Sequence, residues 1–272
     1  MKSFFILVFY CLSLSVFAQN YRFIYEYKFI PQKEKKDSLI IEYMNLDTDG
    51  KRSLFFNDSK YKMDSAYSSS KNINQLTQYK NYNQNLSYKI LKDYKGSQIN
   101  FYSKKFNIDI LVEEKELPNW TLVDEFSIIN TYNCQKAYTE YKGRTWYAWF
   151  TKDIPISDGP YKFTGLPGLI IRIHDKELNH KFDLIQVINI KVPFIEIPKK
   201  VKIMTQSQYN ELEKRNINIK TDVLFTNVTN NTVTVALNNG TIMNFAKNKK
   251  SNVDNEIIEK NRHTNNPIEL QH

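Results

Sequence analysis

Three sets of side chains in this sequence could do chemistry. His174, Asp175 and His180 place two imidazoles and a carboxylate close together along the chain. A His beside a carboxylate suits general acid–base work, and a pair of His suits a metal. Their six-residue spacing is neither the i, i+4 pair of a zinc-binding helix nor the i, i+2 pair of one strand face. The two rings meet only if Lys176–Asn179 forms a hairpin turn, and a polar turn is the plainer reading. Cys134 is the second candidate, as a reactive thiol, a ligand or a small buried hydrophobe. Arg144 is the third. It follows Gly143 on an aromatic stretch and can stack on a ring, pair with Asp124 or Asp153, or clamp a carboxylate ligand. Glu113 and Glu114 are adjacent, as are Asp124 and Glu125, so on strands their side chains diverge and solvated charge is expected. A nucleophile elbow and a paired-His zinc helix are both absent from the sequence. No metal site and no cofactor are therefore expected.

The elements that position these residues read mainly as strands. Aromatic residues make up 14 % of the chain, which favours pleated, half-buried strands. Tyr21–Ile30 is dense in Tyr, Phe and Ile. Ser38–Leu46 and Ser53–Phe56 flank an Asp49-Gly50 turn. Leu86–Leu91, Gln98–Tyr102, Phe106–Glu113 and a segment from Trp120 continue the pattern. Asn133–Tyr141 and Arg144–Thr151 form a hairpin through Lys142-Gly143. On the second of these, Arg144 and Trp146 share one face and Trp149 lies on the other. Leu169–His174 and Lys181–Lys191 follow. Pro193 and Pro198 confine Phe194–Ile197 to an edge or loop. Thr205–Arg215 is the best helix, with Thr205 or Ser207 as its cap. Thr221–Thr229, Thr232–Leu237 and Thr241–Phe245 close the chain as a meander, with Asn238-Asn239-Gly240 as a turn. The 57–85 stretch reads as a long loop. The expected fold is mainly β, a curved antiparallel sheet shaped like an open half-barrel or bowl, with one or two short helices.

Met1–Ala18 has a basic start, an apolar run and small residues near Gln19, which predicts a signal peptide cleaved after Ala18. The expected organisation is 1–18 as signal, 19–246 as one β domain, and 247–272, with His263 and His272, as a polar tail. The apolar run is too short to span a bilayer and no longer one follows, so no transmembrane helix is expected in the mature chain. The destination is the periplasm or the cell exterior. The formal charge is +9, falling by one when Lys2 leaves. Export and dispersed lysines exclude nucleic acid as the partner. Cys11 leaves with the signal, so Cys134 has no internal disulfide partner.

Gly165, Leu166, Pro167, Gly168, Leu169 and Ile170 spell GLPGLI, and the chain resembles the GLPGLI family of exported Bacteroidetes proteins. The resemblance extends to Trp120, Cys134, Gly143-Arg144, Trp146, Trp149, Gly159-Pro160 and Phe163, and to the closing Asn266–Leu270. The family implies no established activity. The chain also resembles the bowl-shaped N-terminal domain of some bacterial peptide-N-glycanases, which implies an accessory rather than a catalytic fold. From the residues alone, Gly159-Pro160 makes a turn, and Gly165 and Gly168 allow positive φ or close backbone approach around a rigid Pro167.

The functional expectation is an exported, non-catalytic binding or assembly protein of the envelope. Its concave aromatic sheet would hold an apolar or peptide ligand, or an envelope or outer-membrane partner. Arg144, Trp146, Trp149 and Phe163 are the expected ligand-binding residues. Two alternatives stay open: a periplasmic hydrolase centred on Cys134 or on His174, Asp175 and His180, and a purely structural envelope component.

Overall fold

The computed structural model describes residues 20–59, 61–62, 86–105, 108–193, 197–221, 223–228, 232–237, 242–246 and 266–270. The expected signal segment 1–18, most of the expected 57–85 loop, Phe194–Glu196, the expected Asn238-Asn239-Gly240 turn, His263 and His272 lie outside them.

Twelve strands form one open sheet. In chain order they are β1 (Tyr21–Phe29), β2 (Ile40–Thr48), β3 (Arg52–Asn57), β4 (Lys89–Asp93), β5 (Gln98–Lys105), β6 (Ile108–Glu114), β7 (Thr121–Ile129), β8 (Tyr132–Tyr141), β9 (Arg144–Thr151), β10 (Leu169–Asp175), β11 (His180–Asn189) and β12 (Lys202–Met204). Their spatial order is β12-β6-β5-β4-β3-β2-β1-β11-β10-β9-β8-β7. Consecutive hairpins build each half, and β1 zips the halves together by pairing with β11 along its length. The sheet does not close into a barrel, because its end strands β7 and β12 do not pair with each other.

Alternation explains which face is buried. On β1, Phe23, Tyr25, Tyr27 and Phe29 are buried, while the residues between them are partly exposed. The buried set, with Met44, Leu46, Phe55, Trp146, Phe150 and Phe182, defines the inner face. A smaller cluster of Leu54, Phe56, Leu91, Tyr102 and Leu111 lies apart from it. The turns follow the expected chemistry. Gly50 has φ 80°, and Asp49 Oδ1 accepts the amides of Lys51 and Arg52. Lys142 and Gly143 both have positive φ, as a two-residue hairpin with a right-handed twist requires.

Two features depart from the sequence reading. β12 pairs with β6 in parallel rather than antiparallel fashion. The helix α1 runs Gln206–Thr221, longer than expected. Thr205 Oγ1 accepts the Gln208 amide while Gln208 returns a bond to the Thr205 amide, a reciprocal N-terminal cap. The expected closing meander forms as β13 (Val223–Val228), β14 (Thr232–Leu237) and β15 (Ile242–Ala246), a three-stranded sheet of its own.

Candidate functional site

The motif loop between β9 and β10 packs onto the inner face. Phe163 lies 4.6 Å from Trp146, ring centre to ring centre, and Tyr25 donates from its hydroxyl to the Ile170 carbonyl at 2.7 Å. The strand register explains the anchoring. Thr48, Ser53, Lys92, Ile99 and Glu114 form one row across β2 to β6. This row offers a cation at Lys92 and an anion at Glu114. The loop meets it with Asp158 and Lys162, opposite charges in matching order. Lys92 pairs with Asp158, and Lys162 pairs with Glu114 at 2.9 Å. Ser53 and Tyr94 donate to Asp158 Oδ2, and Lys92 also donates to the Gly159 carbonyl. All four charged side chains are almost fully buried. The expectation of a solvated Glu114 is thus corrected: register turns it inward, where Lys142 and Lys162 hold its carboxyl below the usual range.

Gly168 shows why this loop needs glycine. Its φ is 151°, and a Cβ there would sit 1.9 Å from the Thr151 carbonyl oxygen. The backbone of the motif lies directly against the end of β9. Gly165, with φ 96°, turns the chain beneath Trp120, whose indole N–H donates to the Thr164 carbonyl.

Arg144 is buried at the far end of β9. It pairs with Asp175 at 2.8 Å, not with Asp124 or Asp153. Asp124 sits on the outermost strand, whereas the end of β10 brings Asp175 to the inner face beside Arg144. The other guanidinium arm donates to Asn266 Oδ1 and to the Pro267 carbonyl, at 2.6 and 2.7 Å. Residues 266–270 of the expected polar tail are therefore tied into the fold.

The hairpin needed to join the two His does form, but it separates them. His180 is buried, its Nδ1 2.7 Å from the Tyr27 hydroxyl, and its amide donates to Asp175 Oδ1. His174 is half-buried on the opposite face, 5.8 Å from the Tyr147 ring. Among the described residues, no three of His, Cys, Asp and Glu converge as a metal site would need.

Burial, with the Arg144 cation beside it, pushes His180 down to about 3. An unfolded chain protonates the same ring near 6.5. Stability held by the neutral ring is therefore complete above pH 6.5 and drains as pH falls from 6.5 towards 3. At pH 4.5 this ring alone should remove about 2–3 kcal/mol. Urea unfolding at pH 7 and pH 4.5 checks this. His180→Asn should shrink the acid loss by that amount, and an equal loss in both proteins would contradict it.

Cys134 is 1 % exposed, and burial raises its thiol above the ordinary value. Its Sγ contacts the Tyr132 carbonyl at 3.5 Å, while His174 and His180 bond elsewhere. We expect a maleimide to label it at least about tenfold more slowly in the folded protein than in urea. Equal rates would restore the reactive-thiol reading.

Of the four expected ligand-binding residues, Arg144, Trp146 and Phe163 are internal, and Trp149 alone lies on the other face. There it is half-buried, with the Lys136 ammonium 5.6 Å from its ring. The motif loop and residues 266–270 pack onto the inner face expected to hold a ligand. An exposed surface that sequence reading did not single out lies at the rim. Phe126 and Ile128 on β7 are 67 % and 73 % exposed. With Cys134, Gln135, Phe150 and Lys152 they line a groove of about 530 Å³. The outer side of β7 pairs with no strand of the sheet.

These features have relatives. Residues 138–172 match a family described as "Protein of unknown function (Porph_ging)". The matched stretch contains Arg144, Trp146, Trp149, Phe163 and all of Gly165–Ile170, so this match and the GLPGLI resemblance rest on shared residues. Two structures of PNGF-II, in space groups P21 and C2, are similar in fold, with TM-scores of 0.54 and 0.52 at 16 % identity. They cover 83 % and 85 % of this chain, which spans about 40 % of theirs. This agrees with the second resemblance. No curated protein matches the chain.

Proposed function

We propose that this chain is an exported, non-catalytic binding or assembly module of the cell envelope. It engages a partner polypeptide through the β7 rim rather than through its aromatic interior. One observation carries this reading: two large apolar side chains, Phe126 and Ile128, stand exposed beside a groove on a strand whose outer side pairs with no described strand. Open strand edges invite strand addition, with side-chain pockets supplying selectivity. The reactive candidates are committed elsewhere: Arg144 and Asp175 to each other, His180 to Tyr27, Cys134 to a buried position. The PNGF-II structures hold a similar fold within longer chains, a fold-level precedent for a module joined to more polypeptide. Export rests on the Met1–Ala18 pattern.

A photo-crosslinking amino acid at position 126, expressed in the native host, tests this. The expected result is one discrete higher-mass product, absent when the crosslinker stands at exposed Lys104. No product at 126, or the same products at both positions, would sink the reading.

A further inference from the structure

We infer that the cleft over Arg144 is a peptide-recognition site, filled in this chain by its own Asn266–Leu270 and able to take the same segment from a second copy. The inference does not rest on the rim reading. The recognising groups belong to the large sheet, two of its connecting turns and the motif loop, and the occupant comes from the other end of the chain. Each position of the occupant is read by chemistry. Asn266 is read on both halves of its amide: Oδ1 accepts from Arg144, and Nδ2 donates to the Ile30 carbonyl at 2.8 Å. Its backbone amide donates to the Pro31 carbonyl at 3.2 Å. Pro267 has no N–H to satisfy, and its carbonyl accepts from Arg144. Ile268 packs against the core. The Glu269 carboxylate takes Lys162 at 2.6 Å and the Tyr161 hydroxyl at 2.7 Å. The Leu270 amide donates to the Lys142 carbonyl at 3.0 Å.

Main-chain bonds combined with side-chain readout are the anatomy of peptide recognition. The charged readers are pre-set. Asp175 holds the second arm of Arg144, and Glu114 holds Lys162, so neither needs to be ordered by the occupant. Tyr161 adds a second sign. Its φ of 53° is rare for a bulky residue, and such strain concentrates at ligand clamps. The 19 residues 247–265 join Ala246 to the occupant. Fully extended they reach roughly 60 Å, far enough to leave the cleft and enter another. Docking in cis and in trans then differ chiefly in effective concentration.

The test uses the full chain carrying Asn266→Ala and Glu269→Ala, which weakens its own segment and leaves the cleft intact. The probe is a fluorescent synthetic peptide of residues 264–272. Saturable binding is expected, about tenfold or more tighter than to the unaltered chain, whose own segment competes. A peptide carrying Glu269→Gln should bind about tenfold more weakly, as loss of a charge-assisted contact implies. No saturable binding to the altered chain, with its urea midpoint showing it folded, overturns the inference. If the altered chain does not fold, isotope-labelled peptide is incubated with the unaltered chain and read by native mass spectrometry. Bound peptide then supports the inference, and its absence after days overturns it. Equimolar mixing of the altered chain with a full chain carrying Tyr161→Phe and Lys162→Met tests the second copy directly. A heterodimer formed only on mixing supports exchange, and persistence of separate monomers overturns it.

Discussion

Asp158→Ala should lower the unfolding free energy by about 3–5 kcal/mol, because it strands a buried ammonium. Lys92 is 2 % exposed and would keep the carbonyls of Gly159 and Phe163 as neighbours but lose its anion. Ser53, Tyr94 and the Gly159 amide would each lose an acceptor as well. Unpaired buried donors add to the cost. The double change Asp158→Leu with Lys92→Met should cost clearly less than the sum of the single changes, because an apolar pair leaves no buried charge. Urea unfolding of the parent, Asp158→Leu, Lys92→Met and the double change gives the coupling, with Asp158→Ala measured beside them. A single-change loss under 1 kcal/mol, or strict additivity, would mean that the pair does not hold the motif loop to the sheet.

Gly168→Ala is expected to cost about 4 kcal/mol or more, or to prevent folding. A methyl group 1.9 Å from the Thr151 carbonyl oxygen cannot be accommodated by rotating a side chain, since the obstacle is backbone. The backbone conformation at this position also disfavours any side chain. Gly50→Ala is the control. Its φ of 80° carries the conformational cost, but an added Cβ meets nothing within 4 Å, so a loss of about 1 kcal/mol is expected. Urea midpoints of both variants decide the matter. Equal losses would show that the motif glycine is kept for its dihedral angle and not for close packing against β9.

These contacts make the motif loop from Asp158 to Gly168 a buttress. It spans the inner face from the β9 end, where Gly168 touches Thr151, to the row of Lys92 and Glu114. The large aromatic residues serve that packing: Trp146, Phe163, Tyr25 and Tyr27 all lie in the buried core cluster.

Much of the fold was legible from local chemistry. The density of Tyr, Phe and Ile in Tyr21–Ile30 marked a strand, and the Asp49-Gly50 and Lys142-Gly143 pairs marked hairpins, because both signals act over a few residues. The separation of Trp146 from Trp149 followed from the period of a strand. Gly165 and Gly168 pointed to a backbone-limited turn because few residue types tolerate such angles. β12 was not legible: three residues, Lys202–Met204, carry too little pattern to outweigh the loop around them.

The site was legible in its residue types but not in its partnerships. Arg144 was singled out, yet Asp175 and Asn266 became its partners through a hairpin and a distant segment. Lys92, Glu114, Asp158 and Lys162 look like surface charges in sequence, and burial reverses that. The sequence by itself determined strand periods, turn positions and the glycines that the motif loop cannot replace, since each depends on local sterics. Only the tertiary structure decided which charges are buried and paired, that the motif loop and residues 266–270 pack onto the aromatic inner face, and that Phe126 and Ile128 are left outside. Those outcomes depend on register and strand order, which are set by contacts between residues far apart in the chain.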